Sequence, residues 1–330
     1  MSTIKKLEDI GFYTLTDARC KNASKNSPIW RAEILLTGRC NFRCPYCKPL
    51  LEGCKEDLEL STLKTILQNL VKQKVKNIRF SGGEPTLYKQ LLDVIKYCKD
   101  NNVERIALST NGSAELNYYE NLVKEGVNDF SISLDACCSQ TGALMCGREK
   151  EQWKKIVKNI KELSKITYTT VGIVFNEENV SEVKEIILFA KNLGVSDIRI
   201  IPSAQYKKED IISKLDFSLG QKYPILNYRI KNYNDGKRIR GLTEKDTKSC
   251  PLVLDDLVIA GNYHFPCIIY LRERGTPIGT LNDFDSLREQ RYEWFLKHNC
   301  YQDKICRENC LDVCKAYNEK WEIFNQNARA

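Results

Sequence analysis

Between residues 31 and 202 the chain repeats one pattern six times: a short β-rich run, then an amphipathic helical stretch. The β-rich runs are "AEILL" (32–36), "NIRFS" (77–81), "RIALST" (105–110), "DFSISLD" (129–135), "TTVGIVF" (169–175) and "DIRIIP" (197–202). Leu63, Ile66, Leu67, Leu70 and Val71 recur at helical spacing after the first run, as do Val183, Ile186, Ile187, Ala190 and Leu193 after the fifth. Gly126 and Gly194 each stand between a helix and the next strand, where a left-handed cap is wanted. A strand that must return parallel to its predecessor needs a crossover, and a helix is the usual one. The pattern therefore predicts an α/β chain whose parallel strands form a partial, TIM-like (β/α)6 barrel, short of the eight units that close a full one.

After residue 202 the repeat ends, and "NYNDGKRIRGLTEKDTKSC" is polar and turn-rich. The expected organisation is an amino-terminal extension (1–30), the barrel (31–215) and a small cysteine-rich carboxy-terminal domain of β-hairpin and helix (216–330). No apolar run approaches the roughly 18 residues of a membrane span, and the first residues lack the apolar core of a signal peptide, so a cytoplasmic protein is expected. The net charge of +8 is dispersed among acidic neighbours; it permits an anionic substrate and does not point to nucleic acid.

Fifteen cysteines set the chemistry. An odd number without an export signal argues against a disulfide framework and for ligation of a metal or cluster. Three lie in "RCNFRCPYC" (39–47): Cys40, Cys44 and Cys47. Structural zinc and iron–sulfur sites use four protein ligands, so a local set of three leaves one coordination position open for a substrate or cofactor; a zinc completed by a remote ligand is the alternative. In a βα barrel the chemistry sits on loops at the carboxy-terminal strand ends. The triplet follows the first run, "GGEP" (82–85) the second and "NG" (111–112) the third, while the fourth ends in "SLD" (133–135), so these signals converge on one rim.

The triplet spacing, the aromatic Tyr46 before its last cysteine and "GGEP" further along strongly resemble the radical S-adenosylmethionine (SAM) superfamily. The resemblance implies a 4Fe–4S cluster on Cys40, Cys44 and Cys47 whose remaining iron chelates SAM. Reductive cleavage of SAM would then give a 5′-deoxyadenosyl radical that abstracts a substrate hydrogen. By the same resemblance Gly82, Gly83 and Glu84 receive the methionine amino group, and Ser109, Asn111, Ser133 and Asp135 line the SAM pocket. A flavodoxin- or ferredoxin-type protein would supply the electron.

A second group comprises Cys250, Cys267, Cys300, Cys306, Cys310 and Cys314. Cys250 and Cys267 flank a predicted hairpin turning near Gly261 and Asn262, and the last three recur at helix-facing intervals. This group resembles the SPASM and twitch domains, which hold auxiliary 4Fe–4S clusters, although the family's cysteine before Cys300 is replaced by Lys297. One auxiliary cluster on Cys250, Cys267, Cys306 and Cys310 is expected, with two under-liganded clusters or a structural zinc as alternatives. His264 and His298 are the chain's two histidines and lie near this group; either could complete a cluster, with packing the leading role for both. Cys137, Cys138 and Cys146 follow the fourth run and are candidate hydrogen-atom donors. The resemblance places a peptide or protein substrate first (crosslinking, oxidation or epimerisation), then a small-molecule dehydrogenase, epimerase or cyclase; a non-catalytic iron–sulfur electron carrier is the reading from another class.

Overall fold

A computed structural model describes residues 19–206, 215, 218, 220–282 and 284–327. Most of the expected amino-terminal extension, and most of the stretch around the boundary at 215, lie outside them. The strands are β1 Arg31–Leu35, β2 Asn77–Ser81, β3 Arg105–Thr110, β4 Asp129–Ser133, β5 Tyr168–Phe175, β6 Asp197–Pro202, β7 Asp256–Ala260, β8 Tyr263–Phe265 and β9 Gly279–Thr280. They form one sheet in the order β6-β5-β4-β3-β2-β1-β7-β8-β9. Strands β1 to β6 pair in parallel with their sequence neighbours, and helices at Leu60–Lys72, Leu91–Asp100, Leu116–Glu125, Lys150–Ile166 and Val183–Asn192 fill the crossovers. The sheet is not closed, which is the partial barrel the six repeats predict.

The strands alternate strictly, and the alternation divides the fold into a dry layer and a wet lumen. Ile34, Ile78, Phe80, Ile106, Leu108, Phe130, Ile132, Val171, Ile173, Ile198 and Ile200 are buried in the core shared with the helices, against residues such as Leu67, Val94, Leu122, Ile160 and Ile186. Each such side chain contributes about 1.5–3 kcal/mol of transfer free energy. The intervening residues, Arg31, Glu33, Arg79, Ser109, Asp129, Ser131, Tyr168, Thr170 and Arg199, line a cavity of about 430 Å³ inside the curved sheet. A full TIM barrel packs this space with apolar side chains; here charged and hydroxyl side chains are interspersed among the apolar ones.

Strand β1 is shifted by one residue from its expected run and β5 starts one residue early, and two larger differences have visible reasons. The fourth run, expected to 135, ends as a strand at Ser133 because Asp135 takes over the ladder with its side chain: Val174 N–H donates to Asp135 Oδ1 at 2.7 Å. The sixth βα unit is completed beyond residue 215 by the helix Pro224–Asn234, whose Ile225 and Leu226 N–H groups donate to the Asp197 carboxylate of β6.

The expected hairpin is present as β7 and β8, turning through Gly261 and Asn262. Gly261 has φ +55°, and a Cβ there would stand 2.1 Å from the Gly53 carbonyl oxygen, so only glycine fits the turn. The hairpin does not stand apart, however. β7 pairs in parallel with β1 over Arg31–Leu35, extending the barrel sheet, and Arg31 ties the two strands through Asp256 at 2.8 and 2.9 Å. No helix among the described residues is long and apolar enough to cross a membrane.

Candidate functional site

The cysteine triplet occupies the loop after β1, and Cys40, Cys44 and Cys47 all face the cavity. The three thiols interact mutually, and burial pushes Cys44 up to about 12 and raises Cys40 as well. Neutral thiols this close together suit a bound cation or cluster, which would displace their protons. The loop is held from below. Gly83 N–H donates to the Thr37 carbonyl at 2.7 Å and Glu84 N–H to the Arg39 carbonyl at 2.7 Å, while Thr37 Oγ1 and Arg39 both bond Asp57. A Cβ at Gly82 would lie 2.4 Å from the Thr37 carbonyl oxygen, and one at Gly83 would lie 2.2 Å from that of Arg39. The glycines are therefore required by the cysteine loop, and their backbone lines the cavity beside it.

Glu84 is placed differently from the expectation that it meets the methionine amino group. Its carboxylate is fully buried and does not line the cavity. Oε1 accepts from Thr86 N–H (3.1 Å), Thr86 Oγ1 (2.7 Å) and Thr110 Oγ1 (2.6 Å), and Oε2 from Asn111 N–H (2.7 Å). It is a strut between the loops after β2 and β3. Asn111, so placed, lines the cavity with its Nδ2 3.9 Å from Cys40 Sγ and 2.8 Å from Asn41 Oδ1. Ser109 and Ser133 also line the cavity, Ser109 holding Arg79 at 2.9 Å. Asp135 lies behind the lining. Tyr46 donates to it at 2.5 Å, so Asp135 anchors the cysteine loop to β5, and burial pushes its carboxyl up to about 6. Cys137, Cys138 and Cys146 are not among the lining residues: Cys137 turns to Glu182, Cys138 is exposed and Cys146 is buried below its helix end.

The six carboxy-terminal cysteines are gathered into one continuous set. Cys250 neighbours Cys300, Cys300 neighbours Cys306, Cys310 neighbours Cys314, and Cys267 interacts electrostatically with Cys250 and Cys314. His298 Nε2 lies 3.6 Å from Cys306 Sγ, and His298, Cys300 and Cys306 bring their ligand atoms within 4.8 Å of one another. A partly buried donor set of soft thiols fits iron–sulfur or zinc. His264 is fully buried and otherwise engaged, with Gln290 Oε1 at 3.0 Å and Arg291 Nη1 at 3.3 Å. The two sites are joined mechanically. Cys267 Sγ caps the helix Ile268–Arg272 by accepting from Tyr270 N–H (3.4 Å), and at its other end Arg272 donates to the Gly82 carbonyl at 2.7 Å while Glu273 pairs with Lys48, beside Cys47.

The sequence reading missed the charged lumen wall: Arg31, Glu33, Arg79, Asp129, Arg199 and, from later elements, Arg229 and Arg240. The signal was available, because the strand residues among them fall at alternate positions opposite the apolar ones.

Residues 34–190 match the family described as the Radical SAM superfamily. Among curated proteins, a probable GTP 3′,8-cyclase of Saccharolobus solfataricus is 28% identical over 179 residues, 53% of this chain and 57% of that protein. One from Sulfurisphaera tokodaii is 29% identical over 175 residues, 51% of this chain and 54% of that protein. The match thus spans little more than half the length of these relatives. Among solved structures, Streptococcus suis SuiB bound to its precursor peptide SuiA superposes with a TM-score of 0.62 at 15% identity, covering 91% of this chain and 73% of that one. The enzyme anSMEcpe with bound AdoMet gives 0.62 at 17% identity, covering 92% and 97%. At these identities the likeness is one of fold. Most of the open parallel barrel and the cysteine triplet braced on "GGEP" fall within residues 34–190, the part of the chain that matches the radical SAM superfamily, and the cysteine-rich carboxy-terminal part beyond it is suited to an auxiliary iron–sulfur cluster.

Proposed function

We propose that the chain cleaves SAM reductively at the rim and acts on a small polar molecule held in the barrel lumen. When bound, the 4Fe–4S cluster and SAM supply a 5′-deoxyadenosyl radical that abstracts hydrogen. Cys40, Cys44 and Cys47 would hold the cluster; Gly82, Gly83, Ser109, Asn111 and Ser133 would bound the SAM pocket; Tyr46 and Asp135 would fix the loop. Cys250, Cys267, Cys306 and Cys310, with Cys300 and Cys314 beside them, would hold the auxiliary cluster. Reduced thiols in this number suit a cytoplasmic setting with a flavodoxin- or ferredoxin-type reductant.

The observation that carries the small-molecule reading is the lumen wall. A cavity of about 430 Å³ lined by arginine, carboxylate and hydroxyl groups is costly to maintain unless a polar ligand uses it. The curated relatives, probable GTP 3′,8-cyclases by name, support it, and a small molecule therefore takes precedence over the peptide substrate that the sequence places first. In the test, the reconstituted full chain is given SAM, dithionite and the small-solute fraction of a cell extract, with 5′-deoxyadenosine as the readout. Stimulation that survives protease treatment of that fraction is expected; its abolition by protease would return the peptide reading.

A further inference from the structure

We infer that the lumen wall contains an oxyanion subsite, built on Arg199 and Arg240, that binds a phosphate or carboxylate group of the substrate. The inference rests on the lumen being the substrate site.

Most charges around the cavity are paired. Arg31 pairs with Glu33 and Asp256, Arg79 with Asp129, Arg229 with Asp312, and Lys48 with Glu273. Among the described residues, three lining arginines have no carboxylate partner: Arg272, which donates to the Gly82 carbonyl on the cysteine-loop side, and Arg199 and Arg240. Arg199 donates through Nη2 to Ser131 Oγ at 3.0 Å, and its Nη1 has no hydrogen-bond partner among the described residues; its Nε, also unpartnered, lies too deep for a cavity ligand to reach. Arg240 donates through Nε to the Pro202 carbonyl at 2.8 Å and through Nη1 to the Asn309 carbonyl at 3.5 Å. Glu33 and Asp129 attract Arg199 across the lumen and Glu273 attracts Arg240, but all three carboxylates are engaged with other cations, and Arg79 and Arg229 oppose them. Burial pushes both guanidiniums down to about 10.

Arg199 stands on β6 and Arg240 bonds the carbonyl that ends β6, so both serve the same wall. Gly172, opposite Arg199 in register, leaves the space the guanidinium needs: a Cβ there would approach Arg199 Nη2 to 3.2 Å. A guanidinium presents a planar fork that matches carboxylate and phosphate oxygens, and forks with spare donors in a low-dielectric pocket make a strong anion receptor. The "GGEP" and cysteine loops that would hold SAM lie across the sheet, on β1 to β3.

The test is isothermal titration of the reconstituted full chain, with SAM present, using sodium phosphate in one arm and sodium acetate in the other. Saturable binding of at least one anion is expected, and the two arms tell phosphate from carboxylate. Arg199→Gln and Arg240→Gln should each weaken it at least tenfold, and the loss should exceed any loss of SAM affinity at least tenfold. Arg199→Lys and Arg240→Lys, which keep the charge and guard against misfolding, should retain more binding than the glutamine variants. No heat from either anion, undiminished binding in the glutamine variants, or a parallel loss of SAM affinity would overturn the inference, the last by assigning the arginines to SAM. SAM cleavage by the unsubstituted chain in the same preparation reports separately on the underlying function.

Discussion

Glu84 offers a sharp test of how the site is assembled. If its carboxylate is a strut between loops, its removal is first an event of stability. Glu84→Ala leaves Asn111 N–H and Thr86 N–H buried without an acceptor, at about 1–3 kcal/mol each, while the two threonine hydroxyls can rotate to other partners. Recovered desolvation offsets part of this, since burial already raises the carboxyl of Glu84. A net loss of roughly 3 kcal/mol follows. Glu84→Gln keeps an oxygen for the threonines but turns an NH2 toward Asn111 N–H, donor against donor, and should cost about 2 kcal/mol. Urea unfolding of the metal-free chain measures both; SAM affinity of the reconstituted chain is measured separately. Variants within about 0.5 kcal/mol of the parent that bind SAM at least tenfold more weakly would refute the strut and put the carboxylate in direct contact with SAM.

Three further outcomes follow from the same geometry. Arg272→Ala removes the bond to the Gly82 carbonyl and should weaken SAM binding by roughly three- to tenfold, the worth of one such hydrogen bond; unchanged affinity would mean that the helix Ile268–Arg272 does not brace the SAM side. The Cys40→Ala, Cys44→Ala, Cys47→Ala variant should, after anaerobic reconstitution, retain about four irons and four sulfides on the carboxy-terminal set, whereas a single zinc without sulfide would contradict the auxiliary cluster. His264, held by burial and Arg291 at about 4 against 6.5 for a free imidazole, binds its proton more weakly folded than unfolded, so its contribution is present above pH 6.5 and lost as pH falls toward 4. Between pH 7 and pH 5 that contribution falls by about 2 kcal/mol, so the urea-unfolding stability of His264→Gln should change between the two pH values by about 2 kcal/mol less in the destabilising direction than the parent's; an identical change would contradict it.

What could be read from the sequence was local. Strand positions followed from runs of alternating or apolar residues, and the cysteine triplet from a spacing contained in one loop. The last two residues of "DFSISLD" were misassigned to the strand because an aspartate side chain, not a backbone carbonyl, continues the ladder. The pairing of β7 with β1 was hidden because more than two hundred residues separate partners such as Arg31 and Asp256, and each looks alone like a solvated charge. Arg199 and Arg240 were passed over for the same reason: only the curvature of the sheet shows that they share a cavity. Glu84 was legible as part of a motif, but its four hydrogen-bond donors come from two loops, and the strut role needed both.

The central claim is tested most directly by 5′-deoxyadenosine formation. The reconstituted full chain, reduced with dithionite and given SAM, should produce it, and the variant with Cys40, Cys44 and Cys47 all replaced by alanine should remain folded by circular dichroism yet produce none. Formation at the parent rate by that variant would contradict the account, because SAM cleavage would then not depend on the triplet braced against "GGEP".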